Sequence, residues 1–485
     1  MRRLETGVPR LDMVLGGGLP VGSLTVIAGA PGSGKTILAQ QISFGSATAE
    51  HKAIYYSTIT EPPEKFISHL EVFDFFDRGA LVDKVEFINL GEMLQDDKEG
   101  GLVAVVNEIV RKCVEEHPVL VVVDSAKALR DFSGSERELR SSIYQLAAQI
   151  AHTDTTLIFV GEYGSDEIET APECSLADGI VELVYESHEP MDRRWLRVRK
   201  LRSSKHLSGH HPLYISDAGV SLFVRAESID GTVQLDPEPT GRMSIGVAGL
   251  DEITHGGLPI GSSTLVLGPS GCGKTALALR FVAKGLEDGE RCLYVSFQEN
   301  ANQLVRQAAG FGWDLGSHIA SGRLRIYHVA EDSLDLDVVA SVVREELARA
   351  PLHRMVIDSL AEMVVAARES ERFPAFARTL LGSLRAAEVS VLTTSETRSL
   401  GPTTESVDGL LFLYHNVVLL RHIEQESEVG RAVAVLKMRN SDHEKGLWTF
   451  DINDRGFEVK SKLLGVTGLL GWSALIAREP DPNRG

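Results

Sequence analysis

Short apolar runs without polar alternation recur along this chain: SLTVIAGA (23–30), AIYYST (53–58), LVVVD (120–124) and TTLIFVG (155–161). Runs of this kind suit strands covered on both faces. Between them lie longer segments of helical pattern, such as ELRSSIYQLAAQIAHT (138–153). The alternation predicts a mostly parallel sheet flanked by helices, an α/β architecture. After LIFVG the pattern changes. GIVELVYESHEPMDRRWLRVRKL reads as a strand, a turn at 189–192 and a returning strand, so the sheet is expected to end in an antiparallel hairpin.

The pattern is written twice. GVPRLDMVLGGGLPVGSLTVIAGAPGSGKTILA, from Gly7, returns as GVAGLDEITHGGLPIGSSTLVLGPSGCGKTALA, from Gly246. VLVVVDSAKAL returns as RMVIDSLAEM, and the hairpin as NVVLLRHIEQESEVGRAVAVLKMR. Landmarks repeated in one order mean a tandem duplication. VRAESIDGTVQLDPEPTG (224–241), rich in acids, proline and glycine, reads as the linker. The expected division is a first domain at 1–230, a linker at 231–243, a second domain at 244–460 and a tail at 461–485.

Each half carries G-x-x-x-x-G-K-[ST] between a strand run and a helical run, the context in which that motif cradles a nucleotide's phosphates. The candidate ATP-binding residues are Gly29, Ala30, Pro31, Gly32, Ser33, Gly34, Lys35 and Thr36, then Gly268, Pro269, Ser270, Gly271, Cys272, Gly273, Lys274 and Thr275. The glycines let backbone N–H groups turn inward at a helix N-terminus, where the dipole favours an anion. Lys35 and Lys274 reach the β and γ oxygens, and Thr36 and Thr275 offer a hydroxyl to Mg²⁺. Asp124 and Asp358, each ending an apolar run, are the further metal ligands expected. Glu61 and Glu299, just after the strands AIYYST and CLYVSF, are the candidates to activate water.

Composition narrows the partners. Of 485 residues, 43% are hydrophobic and 24% charged, as in core-forming globules, and the formal net charge of −19 repels polyanions over most of the surface. Against that background RRWLRVRKLRSSK (193–205) holds seven basic residues and no acid, so any bound polyanion must be met there. No secretory signal opens the chain, and the longest apolar run (463–477) is glycine-broken and short of the roughly 20 residues that span a bilayer. A cytoplasmic protein without membrane contact is expected. Four cysteines without a C-x-x-C pair read as buried thiols rather than a zinc site or disulfides.

TGVPRLDMVLGGGLPVGSLTVIAGAPGSGKT, a strand-end glutamate, VVVDS and a terminal KLR…H hairpin, all doubled over nearly the whole chain, resemble the KaiC circadian-clock ATPases of the RecA/DnaB superfamily. The resemblance implies two tandem RecA-like P-loop domains and a homohexameric double ring with ATP between subunits. It also implies that Lys200 and Arg202, then Lys437 and Arg439, reach from one subunit into the next subunit's phosphates, with His206 and His443 as further trans contacts. A cation lent across a seam neutralises charge developing on the γ-phosphoryl group. The remaining basics, Arg193, Arg194, Arg197, Arg199 and Lys205, are expected in part to pair with acids of the neighbour.

The chain also departs from that family. Clock members have two adjacent glutamates where this sequence has Thr60-Glu61 and Gln298-Glu299, which points to slow hydrolysis or to Glu61 and Glu299 acting alone. Where the clock proteins phosphorylate themselves, this chain has Leu411 and Phe412, with Thr403, Thr404 and Ser406 upstream. A serine/threonine autokinase is therefore a secondary reading. The short segment after Phe457 disfavours KaiA as a partner and leaves KaiB undecided. The reading preferred is a nucleotide-switched ring ATPase that regulates as yet unidentified protein partners. The third reading, a DNA- or RNA-acting motor, needs a basic, aromatic-bearing channel that a 6% aromatic chain does not advertise.

Overall fold

The computed structural model describes residues 2–58, 63–90, 101–187, 192–229, 241–329, 335–366, 372–396, 408–425, 428–464, 466–467 and 475–476. The chain divides into two compact units, Met1–Ile229 and Asp230–Gly485.

The first unit is built on a nine-stranded sheet. Its strands are β1 (Leu24–Gly29), β2 (Ala53–Ser57), β3 (Val85–Asn89), β4 (Leu120–Asp124), β5 (Thr156–Glu162), β6 (Gly179–Glu186), β7 (Arg193–Leu201), β8 (His211–Ser216) and β9 (Gly219–Leu222). Their order across the sheet is β9-β8-β7-β6-β1-β5-β4-β2-β3. The six strands from β6 to β3 run parallel, and β6 to β9 are joined antiparallel.

The LVVVD run shows why the parallel part forms. Leu120 and Val122 enter the core on one face of the sheet, while Val121 and Val123 enter the core on the other. All four are 0% exposed. Each such side chain contributes about 1.5–3 kcal/mol relative to exposure, so the run is stable only in mid-sheet with helices on both sides. One covering helix, α3 (Glu136–Ile150), follows α1 (Lys35–Ser46) and α2 (Gly101–Glu116). It starts where Ser135 accepts the Glu138 N–H, has Glu136 and Glu138 in its first turn, and buries Leu139, Ile143, Leu146 and Ile150 along one stripe.

The second unit repeats the plan. Its strands are β10 (Ser263–Gly268), β11 (Cys292–Ser296), β12 (Leu324–His328), β13 (Arg354–Asp358), β14 (Ser390–Glu396), β15 (Asn416–Gln425), β16 (Glu428–Met438), β17 (Leu447–Asn453) and β18 (Gly456–Lys462), in the order β12-β11-β13-β14-β10-β15-β16-β17-β18. Read from the other edge, this is the strand order of the first unit. Its helices include α4 (Lys274–Glu287), α5 (Ala301–Gly310), α6 (Leu336–Arg349), α7 (Leu360–Ala366) and α8 (Arg372–Ala386).

The expected α/β class, parallel sheet and terminal antiparallel hairpins are all present. The hairpin is only the start of the antiparallel part, because β7 pairs onward with β8 and β8 with β9, as β16 does with β17 and β17 with β18. Those added strands return over the phosphate loop of their own unit. Gly34 has φ +97°, and a Cβ there would meet Ile215 Cδ1 of β8 at 2.7 Å; Gly273, with φ +101°, is packed in the same way against Ile452 of β17. No helix among the described residues is long and apolar enough to cross a membrane.

Candidate functional site

Strand register collects the candidate residues at one end of the parallel strands in each sheet. In the first unit Gly29, where the phosphate loop begins, is level with Glu162, and Asp124 is level with Ser57 and Val160. In the second, Gly268 is level with Glu396 and Asp358 with Ser296. These are the C-terminal ends of parallel strands, where α/β folds leave a crevice for ligands.

Each phosphate loop turns straight into a helix, α1 at Lys35 and α4 at Lys274. The Lys35 ammonium donates to Ala30 O at 2.8 Å, and that of Lys274 donates to Gly268 O and Pro269 O, both at 2.9 Å. Both lysines thus fold back over their own loop. Burial pushes the Lys35 pKa down, against the opposing pull of Glu162 and Asp124.

The aspartates are held by hydroxyls. Asp124, 5% exposed, accepts from Tyr55 at 2.6 Å. Burial raises its pKa, while hydrogen bonds from Tyr55 and Thr36 and the charge of Lys35 oppose the rise. Asp358 accepts from Thr275 at 2.9 Å and Tyr294 at 2.8 Å on one oxygen, and from Thr394 on the other. A threonine hydroxyl set against a carboxylate is a pair of hard oxygen donors of the kind Mg²⁺ takes. Thr36 with Asp124, and Thr275 with Asp358, are the residues that fit such an ion.

Glu299 follows β11, its backbone tied to Ser296, whose hydroxyl accepts the Glu299 N–H at 3.3 Å and donates to the Glu299 carbonyl at 2.6 Å. Burial, then the charge of Asp358, pushes its pKa above the usual glutamate range. Glu61 and Thr60 lie outside the described residues, as do Thr403, Thr404 and Ser406. In the second unit a pocket of about 320 Å³ is lined by Gly271, Lys274, Thr275, Gln298, Phe311, Asp358, Ser359 and Glu396. A larger cleft of about 460 Å³ in the first unit contains no phosphate-loop residue, and its Arg130 is already paired at 2.9 Å with fully buried Glu173.

The four cations near the hairpins hold main-chain carbonyls or a neighbouring acid of their own unit. Lys200 donates to Ala177 O at 2.5 Å, and Arg202 pairs with Asp178 at 3.3 Å. Lys437 donates to Leu411 O and Tyr414 O at 3.0 and 2.8 Å, and Arg439 to Phe412 O at 2.5 Å. Burial, then the adjacent arginine, pushes the pKa of Lys200 and of Lys437 down. The Nδ1 atoms of His206 and His443 are buried without a hydrogen-bond partner among the described residues.

Of the other basics, Arg199 binds Glu182 of its own unit through two hydrogen bonds, at 2.7 and 2.9 Å. Arg194 stacks on Tyr185 and donates to Gly32 O at 3.0 Å. Within the single chain these two basics are thus partnered by the adjacent strand and by the phosphate loop.

Several site residues escaped the sequence reading. Tyr55 and Tyr294, which brace the aspartates, look like ordinary apolar strand positions. Glu162 and Glu396 sit level with the phosphate loops, and the acid that closes both LIFVGE and VLTTSE could have flagged them. Glu362 accepts a hydrogen bond from Gln298, and no sequence signal points to that contact.

A family model described as "ATPase: KaiC" matches residues 4–227 and again 243–463. Curated relatives include circadian clock protein KaiC3 of Synechocystis, 27% identical over 100% of this chain and 97% of its own length. The circadian clock oscillator proteins KaiC of Parathermosynechococcus lividus and Synechococcus elongatus are each 26% identical over 97% of this chain, covering 87% and 91% of their own lengths.

Proposed function

The chain belongs to the KaiC family of ATPases, and on that premise we propose that it binds Mg²⁺-ATP in both units and hydrolyses it to ADP and phosphate. One observation carries this reading: Lys274, Thr275, Asp358, Ser359 and Gln298 line a single pocket over a phosphate loop, with Glu299 adjoining. The backbone N–H groups of Gly29–Thr36 and Gly268–Thr275 hold the phosphates. Lys35 and Lys274 leave their loop carbonyls to meet the β and γ oxygens. Thr36 with Asp124, and Thr275 with Asp358, hold Mg²⁺, which when bound neutralises phosphate charge. Glu299, and Glu61 in the first unit, take the proton of the attacking water; the raised pKa of Glu299 suits that task.

The relatives' names tie them to circadian clocks. For this chain we propose a cytoplasmic, nucleotide-switched homohexamer that acts on protein partners. Its two ATPase domains are 1–230 and 244–460, joined by 231–243 and followed by a tail at 461–485. Lys200, Arg202, His206, Lys437, Arg439 and His443 complete the neighbouring subunit's site. Support comes from Lys437 and Arg439, which bind only carbonyls and have no carboxylate partner among the described residues, so they can be redirected without stranding an acid. Phosphate release should require Mg²⁺ and vanish in the Lys35→Ala/Lys274→Ala double variant, and light scattering should show a hexamer that forms with ATP. Undiminished release by the double variant, or a persistent monomer, would defeat the corresponding half of the reading.

A further inference from the structure

We infer that Glu362 is a positioning residue for ATP hydrolysis in the second unit: it fixes the amide of Gln298 so that the amide oxygen is the atom offered to the attacking water. The inference rests on the hydrolytic role proposed above. Glu362 lies in the first turn of α7, just after the aspartate strand, and one of its carboxylate oxygens accepts from the Gln298 side-chain amide. The other accepts from the hydroxyl of Ser359 at 2.5 Å. Gln298 and Ser359 both line the pocket with Lys274 and Asp358.

The chemistry fixes the direction. An ionised carboxylate only accepts hydrogen bonds, so the NH₂ of Gln298 must face Glu362 and its carbonyl oxygen must face away. A free glutamine amide turns over readily. With NH₂ toward the pocket, it would occupy the water lone pair needed for attack on phosphorus; with oxygen toward the pocket, it holds a water proton and leaves the lone pair free. Glu362 selects the second orientation, and Ser359 keeps the carboxylate in place. Gln298 thereby orients the water, and neighbouring Glu299 supplies the base that an amide cannot be. The first unit has Ala128 at the place of Glu362, four residues beyond its aspartate, so this device belongs to the second unit alone.

The test uses the full-length chain carrying Lys35→Ala, so that phosphate release reports the second unit, with binding of a fluorescent ATP analogue measured in parallel. Glu362→Ala should lower kcat about tenfold to a hundredfold, as misplaced reacting groups do, with KM and analogue binding unchanged. Glu362→Gln can still present a carbonyl acceptor and should recover most of the rate. Glu362→Lys, a donor that draws the amide oxygen to itself, should fall below Glu362→Ala. In a Gln298→Ala background the Glu362→Ala change should cost nothing further, because the two act as one unit. Equal rates for the Ala, Gln and Lys variants, or independent losses at Gln298 and Glu362, would overturn the inference while leaving ATP hydrolysis standing. A Lys35→Ala protein that binds the analogue but releases no phosphate would overturn the underlying hydrolytic reading and this inference with it.

Discussion

Replacing Asp358 with asparagine separates metal binding from folding. The carboxylate accepts three hydroxyl hydrogen bonds, from Thr275 and Tyr294 on one oxygen and from Thr394 on the other. Tyr294 and Thr394 are fully buried. Asparagine has the same shape, and with its oxygen toward Thr275 and Tyr294 it keeps two of the three bonds. Only the Thr394 hydroxyl must turn from donor to acceptor. A single inverted hydrogen bond costs about 0.5–1.5 kcal/mol, and loss of a partly buried negative charge offsets some of that. Nucleotide-free stability should therefore change by about 1 kcal/mol, or about 2–4 °C in Tm for a unit of this size.

The ligand-bound state should behave differently. At a hundredfold excess over Kd, a ligand specific for the folded state adds about 2.7 kcal/mol, which on the same scale is about 5–10 °C. With a neutral amide beside Thr275, the Mg²⁺-dependent part of that shift should disappear. The assay is thermal unfolding of Lys35→Ala and Lys35→Ala/Asp358→Asn proteins with ATP, in Mg²⁺ and in chelator. An equal Mg²⁺-ATP shift in both proteins would refute the metal role. A nucleotide-free loss above about 3 kcal/mol would show that the carboxylate serves chiefly to hold the buried hydroxyls.

Gly273→Ala puts a Cβ at φ +101° against Ile452, so it should cost at least the 1–2 kcal/mol of a left-handed residue and weaken nucleotide-analogue binding to the second unit, while Gly289→Ala, at φ +80° in open space, should cost stability alone. Arg354 is fully buried, bound to Glu290, Ser244 O and Phe281 O, and Arg354→Met should cost about 3 kcal/mol in denaturant unfolding; the double variant with Glu290→Met should recover much of it. Burial pushes the thiols of Cys113 and Cys174 up to about 11 and Cys292 up to about 12, so at pH 8 all three should stay protonated and resist a disulfide reagent until the chain is unfolded. Subunits carrying Lys437→Ala/Arg439→Ala, mixed with subunits carrying Lys274→Ala, should regain second-unit hydrolysis if cations act in trans; phosphate release no greater than that of either variant alone would exclude it.

Much of the site could be read from local pattern. A phosphate loop is eight consecutive residues whose glycines tolerate the backbone they must adopt, and LVVVD and RMVID declare buried strands ending in an acid. The terminal hairpins were legible for the same reason, since GIVELVYE and RRWLRVRKL are strand runs separated by a polar turn. The two strands beyond each hairpin were not. His211–Ser216 is buried at only three of its six positions, so it lacks the continuous apolar run that marks an interior strand. Arg354 was hidden for the opposite reason. A charged residue opening an apolar run reads as a strand edge in water, and Leu120 fills the matching place in the first unit. Only packing against Phe281, with Glu290 across from it, makes an interior arginine tolerable.

The amino-acid sequence by itself determined the duplication, the parallel α/β class and the two phosphate-binding loops, because each depends on residues adjacent in the chain or on their period. Tertiary structure decided which groups meet at the loops. Tyr294 reaches Asp358 across 64 residues, and Gln298 reaches Glu362 across the same separation. Such contacts depend on strand order and register, which arise from burial summed over the whole sheet, and no local stretch of sequence carries that sum.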